Sequence, residues 1–241
     1  MKTAGIIIIG NEILSGKVTD KNSPYLCREL RILGVEVKQI ITIPDVPEVI
    51  GKTAMEFSKH FDWVFTSGGI GPTLDDVTVP SIAKEFGAAL FESPRIMEAI
   101  YKYRGENITD AHRRMAMIPE GSELIEYTEG RPPQLQFHNI FIFPGIPEFL
   151  KIRFSGIRER FKTTPIVIKQ IFLKADEGDI AASLEETQEA YPELQLGSYP
   201  KISGSDYNVK LTLECRDDYY LQKACDFLCE RLSCESIIRI K

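Results

Sequence analysis

The segment 66–76 holds the groups best suited to chemistry in this chain. It contains three closely spaced glycines, a proline and two threonines, and it ends in Asp75 and Asp76. Closely spaced glycines let successive backbone N–H groups point into one concavity, which suits a phosphate group. Two adjacent carboxylates repel a phosphate unless a cation lies between them. The segment therefore predicts a phosphate site that takes a divalent cation such as Mg²⁺, Mn²⁺ or Co²⁺.

Other polar segments follow predicted strands in the same way. The segment 10–20 is rich in glycine and polar residues, Asp45 follows the next predicted strand, and a Pro-Gly turn starts at Pro144. Ligands of an open parallel sheet gather at the carboxyl ends of its strands, so these segments are expected beside the glycine-rich segment. Three of these features also have a purely structural explanation when taken alone. Asp45 and Asp76 could be helix N-caps, and Gly68-Gly69 could be a tight turn.

Predicted strands and helices alternate through the first two thirds of the chain. Strands are predicted at 4–9, 35–42, 62–66 and 136–143, and helices at about 22–33, 47–60, 77–86, 95–104, 110–117 and 148–161. Such alternation indicates right-handed βαβ units. The expected fold class is α/β, with a mostly parallel sheet covered by helices on both faces.

A second, smaller domain is predicted after the polar segment 162–165, which ends in a proline. The pattern that follows is strand, helix, strand, strand, helix, strand, the βαββαβ order of the split βαβ layout. The expected domains are therefore a nucleotide or phosphate domain at 1–162 and a small α+β domain for packing or dimerisation at 166–241.

Charge and hydropathy narrow the class of partner. The net charge of −6 disfavours a nucleic-acid ligand. The longest apolar run, around 6–9, is too short to cross a bilayer, and the N-terminus has no signal-peptide pattern. The expectation is a cytoplasmic protein with a small-molecule partner, and with neither nucleic acid nor membrane.

Five motifs occur in order in the first domain. They are Gly-Asn-Glu-Ile-Leu-Ser-Gly at 10–16, Asp20 with Asn22, Gly-Gly-Ile-Gly-Pro-Thr at 68–73, Asp-Asp-Val-Thr at 75–78, and Phe-Pro-Gly-Ile-Pro at 143–147. Together they resemble the molybdopterin-binding-like (MoaB/MogA) domain family, in particular the domain at the front of the competence/damage-inducible protein CinA and of eukaryotic FAD synthase. Blocks at 197–200 and 207–214 extend the resemblance into the small domain, which is similar to a KH-like domain.

The resemblance implies a three-layer MogA-like α/β domain, a homodimer or homotrimer, and a nucleotide or pterin ligand. It implies catalytic roles for Asp45 and Asp76, and metal binding by these two together with Asp75. Residues expected to contact substrate or phosphate are Gly10, Asn11, Glu12, Ser15, Asp20, Thr66, Ser67, Gly68, Gly69, Gly71, Pro72, Thr73, Arg113, Arg114, Pro144 and Gly145.

The function that this resemblance implies is divalent-metal-dependent hydrolysis of a nucleotide diphosphate linkage, as in ADP-ribose or FAD. Two alternatives stay open: a non-catalytic module that binds molybdopterin or a flavin nucleotide, and molybdopterin adenylylation. Two departures bear on the choice. An Asn-Arg-Lys-Gln-Ala stretch of CinA-type sequences is replaced by His-Arg-Arg-Met-Ala at 112–116, and Asp75 stands where the adenylyltransferases have arginine. The second change favours an added metal ion over a direct phosphate clamp.

Overall fold

A computed structural model describes residues 2–201 and 206–241 of the chain. The chain divides into two compact units, 1–163 and 164–241. The boundary lies within the proline-ended segment 162–165. In the described part of the chain, no helix combines the length and apolarity that crossing a bilayer requires.

Strands and helices alternate in the first unit. The strands are β1 (Thr3–Ile9), β2 (Glu36–Ile43), β3 (Trp63–Ser67), β4 (Leu90–Glu92), β5 (Met117–Pro119), β6 (Glu123–Ile125), β7 (Gln134–Phe137) and β8 (Ile140–Phe143). The helices are α1 (Asn11–Leu14), α2 (Asn22–Ile32), α3 (Pro47–His60), α4 (Thr78–Phe86), α5 (Pro94–Arg104), α6 (Asp110–Met115) and α7 (Pro147–Ile157). A 3₁₀ turn (Arg158–Phe161) follows α7, so the helix predicted at 148–161 is shorter than expected.

The main sheet has the strand order β2-β1-β3-β8-β7-β6. The neighbours β2, β1, β3 and β8 are parallel, whereas β7 is antiparallel to β8 and β6 is antiparallel to β7. Strands β4 and β5 form a separate antiparallel pair. The expected α/β class with a mostly parallel sheet is confirmed, and the short strands β4, β5 and β6 are additions that the sequence did not predict.

Two cores lie on opposite faces of this sheet because successive strand residues point to opposite sides. Ile7 and Ile9 of β1 belong to one core, with side chains of α3, α4 and α5. Ile6 and Ile8 belong to the other, with side chains of α2 and α7. Helices therefore cover the sheet on both faces, and the expected three-layer architecture is confirmed.

The prediction of one strand at 136–143 is wrong, because the segment forms a hairpin of β7 and β8. His138 turns the chain with a φ of 51°. The side-chain amide of Asn139 donates to the carbonyl oxygens of Ser58 at 3.0 Å and Phe61 at 2.8 Å, which fixes the turn against α3. A His-Asn pair is not among the usual two-residue hairpin signals, so the apolar pattern appeared continuous.

The second unit contains β9 (Val167–Leu173), α8 (Glu177–Ala190), β10 (Gln195–Pro200), β11 (Val209–Cys215), α9 (Asp218–Arg231) and β12 (Ile237–Ile240). Its sheet has the order β10-β11-β9-β12, and every neighbouring pair is antiparallel. This is the predicted split βαβ layout. Side chains of α8 and α9, among them Ile180, Leu221 and Leu228, share one core with the sheet.

Candidate functional site

The loops that follow four parallel strands meet at one edge of the main sheet. The amide of Gly10, directly after β1, donates to the carbonyl oxygen of Ile43 at the end of β2, at 3.1 Å. The amide of Gly68, directly after β3, donates to that of Phe143 at the end of β8, at 3.2 Å. The structure therefore brings together the segments that the sequence placed at strand ends. We call this side of the sheet the loop edge, and residues 66–76 the glycine loop.

Near its start, the glycine loop has a position where no side chain fits. Gly68 has a φ of 117°, and a Cβ there would overlap the carbonyl oxygen of Ile9. A Cβ on Gly145 would lie 3.4 Å from the Cα of Gly68, so the turn after β8 approaches the same point from the other side. Glycine at position 68 is therefore a steric requirement of the close packing of three strand ends.

The carboxylate of Asp76 closes the glycine loop on itself. Its Oδ2 accepts hydrogen bonds from the Thr73 amide at 2.8 Å and the Thr73 hydroxyl at 2.5 Å. The residue that caps α4 is Val77, which makes no side-chain capping bond. The interpretation of Asp76 as a simple helix cap is therefore wrong. Its second oxygen, Oδ1, accepts no hydrogen bond from the residues that the structure describes.

Three successive amides of the glycine loop point to no protein acceptor. Among residues 2–201 and 206–241, none accepts a hydrogen bond from the N–H groups of Gly69, Ile70 or Gly71, and Pro72 has no N–H group. The loop is held instead by Thr78, whose hydroxyl donates to the Gly68 carbonyl at 2.9 Å and whose amide donates to the Gly69 carbonyl at 3.0 Å. Consecutive unpaired amides before a helix are well suited to an anion.

Asp45 joins the loops after β1 and β2. Its Oδ2 accepts a hydrogen bond from the Asn11 amide at 2.7 Å, at the start of α1. The N-cap of α3 is Val46, so the interpretation of Asp45 as the cap of that helix is wrong. The carboxylate of Glu12 lies beside Gly10, where an added Cβ would contact it. The first turn after β1 thus has the Glu12 carboxylate next to Gly10 and the Asp45 carboxylate on the Asn11 amide.

Asp75 is an exposed carboxylate next to Asp76. The nearby Thr73 side chain, followed by the Asp75 backbone, lowers the pKa of this carboxyl below its ordinary value. The hydroxyl of Thr73 donates its own hydrogen bond to Asp76, at 2.5 Å. Asp75 is a carboxylate at neutral pH, as an ordinary aspartate is.

Several predicted contact residues are buried or are bonded within the loops themselves. Thr66 is fully buried, and Asp20 accepts hydrogen bonds from the amides of Asn22 and Ser23 at the start of α2. The Ser15 hydroxyl donates to the carbonyl of Glu12 at 3.2 Å. These bonds shape the loops around the site.

The two arginines of α6 have different partners. Arg113 forms an ion pair with Glu92 at 3.2 Å, which raises the pKa of its guanidinium. Arg114 donates to the carbonyl oxygen of Pro72 at 3.1 Å, so it lies directly on the glycine loop. Of the pair, Arg114 is the one that the structure brings to the site.

Comparison with known proteins identifies the first unit. Residues 5–163 match the family model described as "Probable molybdopterin binding domain", and residues 165–241 match "FAD synthase, middle domain". The chain belongs to the molybdopterin-binding domain family. This confirms the family that the five motifs indicated.

Relatives of this molybdopterin-binding domain protein come from several organisms. A protein from Archaeoglobus fulgidus is 35% identical over 81% of this chain and 85% of its own length. A "Probable FAD synthase" from Caenorhabditis briggsae is 30% identical over 88% of this chain but only 46% of its own length. The chain thus spans about half the length of that relative. The structure of the protein CinA from Thermoplasma acidophilum has a TM-score of 0.62 and 30% identity, and covers 67% of this chain and 100% of its own.

One residue of the molybdopterin-binding domain was not predicted as part of the site. Asn22, 6% exposed, donates from its side-chain amide to the Ser67 hydroxyl at 2.9 Å and to the Gly145 carbonyl at 2.7 Å. The sequence showed Asn22 in a motif with Asp20. Its contacts could not be predicted because they join segments far apart in the chain.

Proposed function

We propose that this protein hydrolyses the phosphoanhydride bond of a nucleotide diphosphate, with an ADP-ribose-like or FAD-like substrate. The observation that carries the proposal is the row of three amides at 69–71, which have no acceptor among the described residues and end beside the carboxylate of Asp76, next to Asp75 in the chain. Phosphate recognition needs donors that have no other partner, and backbone N–H groups held in a fixed loop supply them without reorganisation.

The chain's own residues would bind and orient the phosphates. The amides of Gly69, Ile70 and Gly71 would hold the oxygens of one phosphate, and Arg114 can approach them because it already lies on the glycine loop. The Oδ1 oxygen of Asp76 and the carboxylate of Asp75 put negative charge beside that phosphate. The carboxylates and the phosphate repel each other unless a cation lies between them.

Asp45, Asp75 and Asp76 are the proposed ligands, of which one or two would hold the divalent ion together with phosphate oxygens of the substrate. Among the described residues, no three His, Cys, Asp or Glu side chains are close enough together to bind a metal ion alone. The donor set nevertheless fits Mg²⁺ or Mn²⁺, which are commonly held by one or two carboxylates together with substrate phosphate oxygens. When bound, such an ion neutralises phosphoryl charge and lowers the pKa of a water molecule.

The comparisons support a nucleotide or a pterin as the ligand class. The family description names molybdopterin, and a relative that covers most of this chain is called a probable FAD synthase. Both names refer to compounds that contain phosphate and a pterin or flavin ring. A pyrophosphate-linked nucleotide agrees with these names and with the free amides.

The test is a substrate screen with the purified protein. ADP-ribose, FAD and NAD are each incubated with Mg²⁺, Mn²⁺ or Co²⁺, and release of AMP is measured by chromatography. We expect AMP from at least one combination, and no AMP when the metal is chelated. If no combination of nucleotide and metal releases AMP, the proposed hydrolysis is excluded.

Asp76→Ala is the variant that tests the site, because it removes the carboxylate and its two hydrogen bonds from Thr73. We expect at least a hundredfold loss of activity, on the scale of a lost catalytic group. Asp179→Ala makes the same change at an exposed position of α8 and should leave the rate unchanged. Equal rates for both variants would remove Asp76 from the mechanism.

A binding module without turnover is the second candidate. It is favoured by the two hydrogen bonds that already occupy Oδ2 of Asp76, and by the lack of a three-ligand metal cluster in the described residues. Calorimetry with FAD and Mg²⁺, followed by recovery of the ligand, separates the candidates, since a module returns the nucleotide intact. Adenylylation of molybdopterin would instead require consumption of ATP in the presence of molybdopterin.

A further inference from the structure

A single buried side chain connects three segments of the loop edge. Asn22 begins α2, and its side-chain amide donates to the Ser67 hydroxyl at the end of β3 and to the Gly145 carbonyl after β8. The Ser67 hydroxyl in turn donates to the carbonyl oxygen of Pro144 at 3.2 Å. Helix α2, the glycine loop and the turn after β8 are therefore joined through one amide group.

Burial makes these bonds costly to lose. Asn22 is 6% exposed and Ser67 is 1% exposed, so water cannot readily replace a missing donor. The Gly145 carbonyl would lose the amide donor, and the Ser67 hydroxyl would be free to rotate away from the Pro144 carbonyl.

We propose that Asn22 is a positioning residue that fixes the glycine loop and the turn after β8 relative to each other before a ligand binds. Ser67 directly precedes Gly68, and the unpaired amides start one residue later, at Gly69. A shift of Ser67 by a fraction of an ångström would therefore redirect all three amides. The inference rests on the proposed function for its effect on nucleotide binding, but the rigidity of the loop is measured without any ligand.

The same sheet offers a matched control at its opposite edge. Asn139 precedes β8, and its side-chain amide also donates twice, to the carbonyl oxygens of Ser58 and Phe61. Asn22→Ala and Asn139→Ala thus remove the same group and the same number of donated bonds. Only the first variant removes them from the loop edge.

The first measurement is amide hydrogen exchange of the full chain without ligand. We expect Asn22→Ala to speed exchange of the Gly68 amide, which donates to the Phe143 carbonyl, by about tenfold or more, on the scale of one buried hydrogen bond. Asn139→Ala should leave this amide at the wild-type rate. If neither variant changes its exchange, or if both change it equally, the proposal is overturned. Should Asn22→Ala not fold, Asn22→Ser replaces it, with the same expected direction.

The second measurement is binding of ADP-ribose with Mg²⁺ by calorimetry. We expect Asn22→Ala to weaken binding by about tenfold and Asn139→Ala by less than twofold. If the wild-type protein binds ADP-ribose and Asn22→Ala binds it equally well, the inference fails while the proposed function stands. If the wild-type protein binds no nucleotide, the proposed function fails, and the exchange rates alone decide the role of Asn22.

Discussion

Gly68 is the residue at which the glycine loop packs against the end of β1. Its φ of 117° lies in a region that side chains rarely adopt, and a Cβ would overlap the Ile9 carbonyl oxygen. The obstacle is backbone at the end of a buried strand, so rotation of a side chain cannot relieve it. The geometry of the candidate site therefore depends on glycine at position 68, because any side chain there would clash with backbone.

We predict that Gly68→Ala lowers the free energy of unfolding by about 3 kcal/mol or more, because steric overlap adds to backbone strain. Gly178→Ala is the control, since Gly178 lies in α8 and its Cβ would meet nothing within 4 Å. That change should stabilise the protein by up to about 1 kcal/mol, the helix propensity difference. Urea unfolding of both variants measures the contrast. Equal effects would contradict the close approach at Gly68.

Residue types and spacing were enough to single out the candidate site, but they could not assign its bonds. Asp45 and Asp76 were predicted as site residues, and the sequence left helix capping open for both. The structure excludes capping because each carboxylate bonds to a loop instead, Asp45 to Asn11 and Asp76 to Thr73. Asn11 is 34 residues from Asp45, and such contacts depend on the sheet order, which a single sequence does not specify.

At the scale of elements, strand β1 is fastened at its start to the segment before β3. Asp62 accepts hydrogen bonds from Lys2 Nζ at 2.7 Å and from the Thr3 amide at 2.8 Å. These bonds, the one from Lys2 first, lower the pKa of Asp62 to about 2. Since the pKa is lower in the folded state, the carboxylate stabilises the fold above about pH 4, the ordinary Asp value. That contribution is lost as the pH falls toward 2.

We predict that Asp62→Asn flattens the decrease in stability between about pH 4 and pH 2. The wild-type protein should lose more stability than the variant over this range, by less than about 1 kcal/mol because solvent screens a surface pair. Asp179→Asn serves as the control and should follow the wild-type profile. Denaturant unfolding at a series of pH values gives the comparison. A variant profile parallel to the wild type would contradict the role of Asp62.

Long elements were predictable from periodicity, whereas short ones were not. The helix α3 and the strand β1 match their predicted ranges within about two residues, because each has a clear apolar pattern and a marked end. The hairpin of β7 and β8 was missed because both strands are apolar and the turn between them lacks glycine. β4, β5 and β6 span three residues each, which is too short for alternation to be recognised.

At the scale of the whole molecule, the two units have separate cores. Two hydrophobic clusters consist of residues from the range 4–161, and the third consists of residues from 167–237. All the loops of the candidate site lie in the first unit, and the family model for a molybdopterin binding domain ends at residue 163. A core of its own is the main requirement for a domain to fold alone.

We therefore predict that residues 1–163, produced alone, fold cooperatively and retain any nucleotide binding found for the full chain. Both cores of this unit stay complete, and the three free amides, Asp45, Asp75 and Asp76 are all present. Circular dichroism during thermal unfolding tests folding, and calorimetry with ADP-ribose and Mg²⁺ tests binding. Residues 164–241, the matched fragment, should unfold in a transition of their own and bind no nucleotide. A fragment 1–163 that folds but has lost the affinity of the full chain would show that the second unit contributes to the site.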